Sequence, residues 1–169
     1  MLNKKIEEAF NKHLNEELYS AYLYLSMSAY FEAENLKGMA NWMRVQAQEE
    51  MAHALKFYNF IFARDGRVIL TEIRSPKTDW KSPQDAFEDA YSHECKISSR
   101  INDLVDLAIK ENDHPANMFL QWFVNEQIEE EAGVKEIVDK LKFAGDNKVT
   151  LFMLDNQLGQ RAVATPTAQ

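Results

Sequence analysis

Four glutamates interrupt four otherwise apolar helical stripes, which restricts the chain to folds that bring four buried carboxylates together. From residue 3 to about 33, Ile6, Phe10, Leu14, Glu17, Ala21, Tyr24 and Ser28 recur at three- and four-residue spacing, the period of one helix face. The same period runs through Met39, Met43, Ala47, Glu50, Ala54, Phe57 and Ile61, and through Phe87, Ala90, Tyr91, Glu94, Ile97, Ile101 and Val105. A fourth stripe holds Phe119, Phe123, Glu130, Val134, Ile137 and Leu141. Each glutamate lies about 11 to 15 residues into its helix, so helices of matched length bring all four to one height. Taken singly, Glu17 beside Glu16 reads as a solvated face and Glu129-Glu130-Glu131 as a surface charge run; four in register on four stripes do not. A carboxylate on an apolar face costs several kcal/mol to desolvate unless a proton, a cation or a metal compensates it. Four together repel one another and push their pKa values up, and two divalent cations would neutralise them.

The segments between the stripes give the connectivity. The spacing predicts helices over about 3–33, 38–64, 83–111 and 115–143, with a short fifth over about 147–159, all in one domain spanning 1–169. Glu34 to Gly38 is short and polar, so the first two helices are antiparallel neighbours. Asp65-Gly66 ends the second helix, with Gly66 expected as the left-handed cap. Arg67 to Lys81 is long enough to span the bundle, so the third helix is expected to run parallel to the second. It contains Pro76 and a short extended patch, Val68-Ile69-Leu70. Ser82 with Pro83 is a strong helix start, Asn112 to Pro115 a break, and Gly145 a stop. Asp146 or Asn147 caps the fifth helix, which carries Val149, Leu151, Phe152, Leu154 and Leu158. The tail from Arg161 to Gln169 reads as disordered. The fold class is all-α: a four-helix bundle with one long crossover between helices two and three and a short fifth helix.

Charge and cysteine count narrow the function. With 27 acidic against 19 basic residues the net charge is −8, which argues against a nucleic-acid groove and for acceptance of cations. No signal-peptide run and no membrane-length apolar stretch is present, so a cytoplasmic location is expected. A single cysteine, Cys95, excludes an intramolecular disulfide and any cysteine-built metal site, and is read as a buried, inert thiol. The phenylalanines from Phe57 to Phe123 are read as core. His13, His93 and His114 show no defensible ligand partner at helical spacing.

Oxygen donors with one imidazole and no thiolate suit a first-row divalent ion such as iron, manganese or zinc better than calcium. Dinuclear carboxylate bundles take a Glu from each of two helices and a Glu-x-x-His from each of the others. Glu50-Met-Ala-His53 meets that pattern; Gln127-Ile-Glu-Glu130 stands where the second motif belongs, so one metal lacks an imidazole.

Asn15 to Tyr24 (NEELYSAYLY), Trp42 to His53 (WMRVQAQEEMAH), His93-Glu94 and Phe119 to Glu131 (FLQWFVNEQIEEE) resemble the non-haem ferritins of bacteria and archaea over nearly the whole chain. The resemblance implies a ferritin-like bundle in a hollow, twenty-four-subunit shell that oxidises Fe²⁺ with O₂ at a dinuclear site within each subunit and stores the ferric product. On that reading Glu17, Glu50 and His53 hold the first iron. Glu50 as bridge, Glu94 and Glu130 hold the second, with Gln127 nearby. Glu49, Glu126 and Glu129, beside Glu130, form an accessory third iron site. Tyr24 and Trp122 match aromatic residues next to the centre. Met51 matches the haem-ligand position of bacterioferritins, but those carry the second Glu-x-x-His, and here interface packing accounts for a methionine; no haem is expected. A haem-binding bacterioferritin and a di-iron oxygenase or peroxide-reducing protein of the same fold are the alternatives.

Overall fold

The computed structural model describes residues 2–163. These form five α-helices and no strand: α1 (Lys4–Ala33), α2 (Lys37–Ala63), α3 (Pro83–Lys110), α4 (His114–Ala144) and α5 (Lys148–Leu158). Side-chain caps set most of the starts, satisfying N–H groups that the first turn leaves without a helical partner. Asn3 accepts from Lys5 N, Ser82 from Asp85 N, Asp113 from Ala116 N, and Asn147 from Val149 N and Thr150 N.

The end of α2 corrects one expectation. Asp65, at φ 56°, is the left-handed residue, and the N–H of Gly66 returns to the carbonyl of Ile61 at 2.9 Å. Asp tolerates that conformation better than most side chains. Gly66 is needed for space: a Cβ there would lie 2.9 Å from both Glu7 and Ile61.

The crossover climbs along α1. Asn11 Nδ2 donates to the carbonyl of Arg67, Asn15 Nδ2 to that of Glu72, and Ser26 Oγ to that of Lys77, in the order of the chain. It therefore delivers α3 to the end where α2 began, and α3 runs parallel to α2. At the opposite end Arg64 clamps Asp113 through two N–H···O bonds of 2.9 and 3.1 Å, joining the end of α2 to the start of α4.

Two apolar clusters fill the bundle, one above the level of the glutamates and one below. The upper holds Tyr24, Met27, Phe31, Met39, Met43, Phe87, Val134 and Leu141. The lower holds Ile6, Phe10, Phe57, Ile61, Ile101, Leu120 and Phe123. Between them lies a buried polar layer. The core is leaner in places than the sequence suggests. Phe62 is half exposed, Val149 and Phe152 on α5 face outward, and Cys95 is half-buried.

Helix α5 docks on the first turn of α2, whose N-cap position, Leu36, has no side chain able to cap. Asp155 supplies the cap from α5: its Oδ1 accepts from Met39 N at 2.8 Å, a carboxylate at a helix N-terminus. Gly38 permits the approach, since a Cβ there would lie 1.6 Å from the carbonyl oxygen of Asp155. The tail begins later than the sequence suggests. Arg161 is pinned, its carbonyl accepting from Asn41 Nδ2 at 2.9 Å and its guanidinium stacked on Trp42 at 4.3 Å. The remainder of the expected disordered tail, from 164, lies outside the described residues.

Candidate metal centre

Glu17 from α1, Glu50 and His53 from α2, Glu94 from α3 and Gln127 with Glu130 from α4 are all buried in the layer between the two apolar clusters. One ligand atom from each of Glu17, Glu50 and His53 lies within 4.8 Å of the other two, and the same holds for His53, Glu126 and Glu130. Two metal–ligand bonds of about 2.1 Å bridge roughly 4 Å, so small side-chain rotations suffice to close either set on one ion. His53 belongs to both sets. Its Nδ1 lies 3.5 Å from Glu50 Oε2 and its Nε2 3.9 Å from Glu126 Oε1.

The carboxylates are held by other side chains. Glu17 Oε1 pairs with His13 Nε2 at 2.7 Å, while Glu17 Oε2 is buried and has no hydrogen-bond partner among the described residues. An orphaned carboxylate oxygen in a buried layer fits a cation. Gln46 Nε2 donates to Glu50 Oε1 at 3.0 Å and to Glu130 Oε2 at 2.6 Å, bracing α2 against α4. Glu94 stands apart from both three-residue sets. The Tyr24 hydroxyl donates to its Oε1, and Gln127 Nε2 donates to its Oε2 at 3.2 Å. Where a symmetric centre would have its second Glu-x-x-His, Glu130 stands at the imidazole position and Gln127 at the carboxylate position, an amide that orients Glu94 and also reaches Ser98 Oγ at 3.3 Å.

The electrostatics follow from crowding. Burial pushes the Glu94 carboxyl well above its ordinary value, and the charges of Glu50 and Glu130 add to that. Burial and Glu50 raise Glu130 to about 7. Burial likewise raises Glu50, with Glu17 contributing. Glu17 alone is lowered: burial acts against its charge, but His13 and then His53 outweigh it. Burial disfavours a charged His53, yet Glu50 and Glu17 overcome it and lift the imidazole to about 10. The layer thus holds protons on the sites that a metal ion would take.

The accessory residues are wetter. Glu49 and Glu126 are half-buried and Glu129 is exposed, and all three line an open cleft of about 460 Å³ together with Glu130, Trp42 and Arg161. Burial raises the Glu49 carboxyl despite the opposing charge of Arg161. Trp122 is half exposed, edge-on to the His53 ring at 5.5 Å. Met51 is exposed, on the outer side of α2.

Two residues of this layer, His13 and Gln46, and one of the cleft, Arg161, do not stand out in the sequence. His13 lies four residues before Glu17 and Gln46 four before Glu50, a spacing that places each beside its carboxylate. Nothing in the sequence points to Arg161. His93, also buried, lies 2.7 Å from Ser20 Oγ and serves α1–α3 packing; His114 opens α4.

Comparison with known proteins agrees with this geometry. Residues 7–144 match the model of the ferritin-like domain family. A bacterial non-heme ferritin of Bacteroides fragilis is 44% identical over 161 residues, covering 95% of this chain and 100% of that one. One from Staphylococcus saprophyticus is 37% identical, covering 96% and 97%. Among solved structures, an engineered closed form of the Archaeoglobus fulgidus ferritin superposes with a TM-score of 0.96 at 46% identity, covering 97% of this chain and 100% of that one. The open-pore ferritin of the same archaeon gives 0.95 at 48%, covering 96% and 100%. The chain belongs to the ferritin family, with the non-haem ferritins of bacteria and archaea as its relatives.

Proposed function

We propose that this ferritin stores iron in the cytoplasm, oxidising Fe²⁺ with O₂ at the layer of Glu17, Glu50, His53, Glu94 and Glu130 and keeping the ferric product inside a shell of twenty-four copies. The observation that carries this reading is the buried carboxylate layer itself: four glutamates and the imidazole of His53, with Glu17 Oε2 unsatisfied among the described residues. Glu17, Glu50 and His53 take one Fe²⁺ and Glu50, Glu94 and Glu130 the other, Glu50 bridging. The two substrate ions give one electron each to O₂. Tyr24 and Gln127 hold Glu94 in place. Fe³⁺, a harder ion, then moves toward the wetter Glu49, Glu126 and Glu129.

A di-iron oxygenase needs room for an organic substrate beside the metals. Here the apolar clusters occupy the bundle immediately above and below the layer. Storage accounts for the site better.

Anaerobic titration of the purified protein is expected to give two tight Fe²⁺ sites per chain, and admission of O₂ a fast oxidation burst of the same stoichiometry. Glu50→Ala removes the burst, because the bridge serves both ions, whereas His53→Ala harms mainly the first. Two tight sites persisting in Glu50→Ala would show that the bridge is wrongly assigned.

A further inference from the structure

The cleft that holds Glu49, Glu126 and Glu129 already contains a cation. Arg161 leaves the end of α5 and turns its guanidinium into the cleft, 2.5 Å from Glu49 Oε2 and 2.8 Å from Gln46 Oε1. The same group lies over the Trp42 ring, 4.3 Å from its centroid. Both partners of the ion pair are largely shielded, with side-chain exposures of 24% for Arg161 and 21% for Glu49. The placement is fixed from behind by the Asn41 contact to the Arg161 backbone and by the seating of α5 on α2 at Gly38, where Asp155 accepts from Met39 N. A surface arginine pairing by accident has no such set of anchors, and an exposed pair would be worth little.

We propose that Arg161 is a built-in counter-cation that competes with iron for the exit cluster, so that an ion leaving the dinuclear centre binds at Glu49 only by displacing it. This rests on the reading that Glu49, Glu126 and Glu129 receive iron. The competition follows from charge: a guanidinium docked on Glu49 removes one ligand and repels an incoming ion in proportion to that ion's charge, hence Fe³⁺ more than Fe²⁺. The cluster is then a transient stop rather than a trap, and its carboxylates stay compensated between passages. The contact with Gln46 links this to the centre. By donating to Gln46 Oε1, Arg161 leaves Nε2 as the group facing Glu50 and Glu130, so displacement of the guanidinium also loosens the brace between α2 and α4.

Terbium(III), a hard, redox-inert trivalent ion whose luminescence a nearby Trp42 excites, tests this on the assembled protein without any oxidation step. Arg161→Gln is expected to strengthen Tb³⁺ binding at the Glu49-dependent site about tenfold, the scale of one partly buried ion pair, while Arg161→Lys stays near wild type. Asn41→Ala, which frees the backbone but keeps the charge, should shift binding the same way by less. In successive Fe²⁺ additions Arg161→Gln should also keep iron at the cluster longer, slowing recovery of the fast phase. Unchanged or weaker Glu49-dependent binding in both Arg161→Gln and Asn41→Ala overturns the proposal and leaves Arg161 as a structural tie. If Gln replacements at Glu49, Glu126 and Glu129 leave Tb³⁺ binding and turnover unaltered, the reading of the cluster as iron-receiving is what fails.

Discussion

His53 faces Glu50 through one ring nitrogen and Glu126 through the other, so the single imidazole connects the buried layer to the wetter cleft. Its protonation has a direct consequence. Its folded-state pKa of about 10 lies above the ordinary 6.5, so the stabilisation from its carboxylate partners is fully present below pH 6.5 and lost as pH rises through 10. Glu130, at about 7 against an ordinary 4.5, holds a proton that the unfolded chain has already released, so the metal-free protein loses stability as pH rises from 4.5 to 7. Metal entry expels these protons. Anaerobic Fe²⁺ added to weakly buffered protein should therefore release more protons at pH 6 than at pH 8, and His53→Ala should lower the release at both. Release that is flat between those values would mean that Glu130 is already ionised at pH 6. At this scale the glutamates were legible because each breaks an apolar period, which a buried charge cannot do without compensation. His13 and Gln46 were not, because a polar side chain four residues from a glutamate is equally common on a solvated helix face. The physical difference is the neighbour across the bundle, such as Glu130 for Gln46, which a single helix does not reveal.

Helix starts were legible from their caps, Ser82 with Pro83 most plainly, because the capping oxygen sits beside the groups it satisfies. Elements held by distant partners were harder to read. The start of α2 has no local cap, and its partner, Asp155, comes from more than a hundred residues along the chain. The two glycines concerned work by proximity rather than by φ. Gly66 looked like the left-handed residue because Gly is the usual choice there, but Asp65 takes that conformation and Gly66 makes room for Glu7 and Ile61. Gly38 likewise makes room for α5. Gly38→Ala places a methyl group against the Asp155 carbonyl and is expected to destabilise the protein by about 1–3 kcal/mol as α5 shifts away. Asp155→Ala, which loses only the cap, should cost about 1 kcal/mol. Thermal melting by circular dichroism orders the two, and a Gly38→Ala protein that melts with wild type would show that α5 seats without this close contact. Both changes should also loosen Arg161, since its anchor follows directly from α5.

Taken as a whole molecule, the subunit leaves apolar side chains in water where a lone domain would not. Tyr22, Leu25 and Met51 are each about half exposed, Leu25 at 52%, and with Ala21 and Ile73 they line one cleft between α1 and α2. An apolar patch of this kind marks a contact surface. The alternating stripes made the inner faces readable from sequence, but they say nothing of which outer residues cluster, because Tyr22 and Leu25 look like scattered surface apolar residues until α2 and the crossover are laid beside them. A two-fold contact between copies would present each residue twice, so one introduced charge meets its own image. Leu25→Glu combined with Met51→Glu is accordingly expected to shift the protein by light scattering from the proposed shell to small species. Helical content should stay as it is, since exposed changes alter stability by only about 0.5 kcal/mol. The glutamate layer lies wholly within one chain, so the proposed first oxidation of two Fe²⁺ per chain should survive. Storage should not, because without an enclosed space the ferric product precipitates as iron is added in excess. A variant that remains a shell would remove this cleft from the assembly surface. One that dissociates and also loses the first oxidation would mean that the centre depends on contacts between subunits, contrary to a layer assembled from α1 to α4 of a single chain.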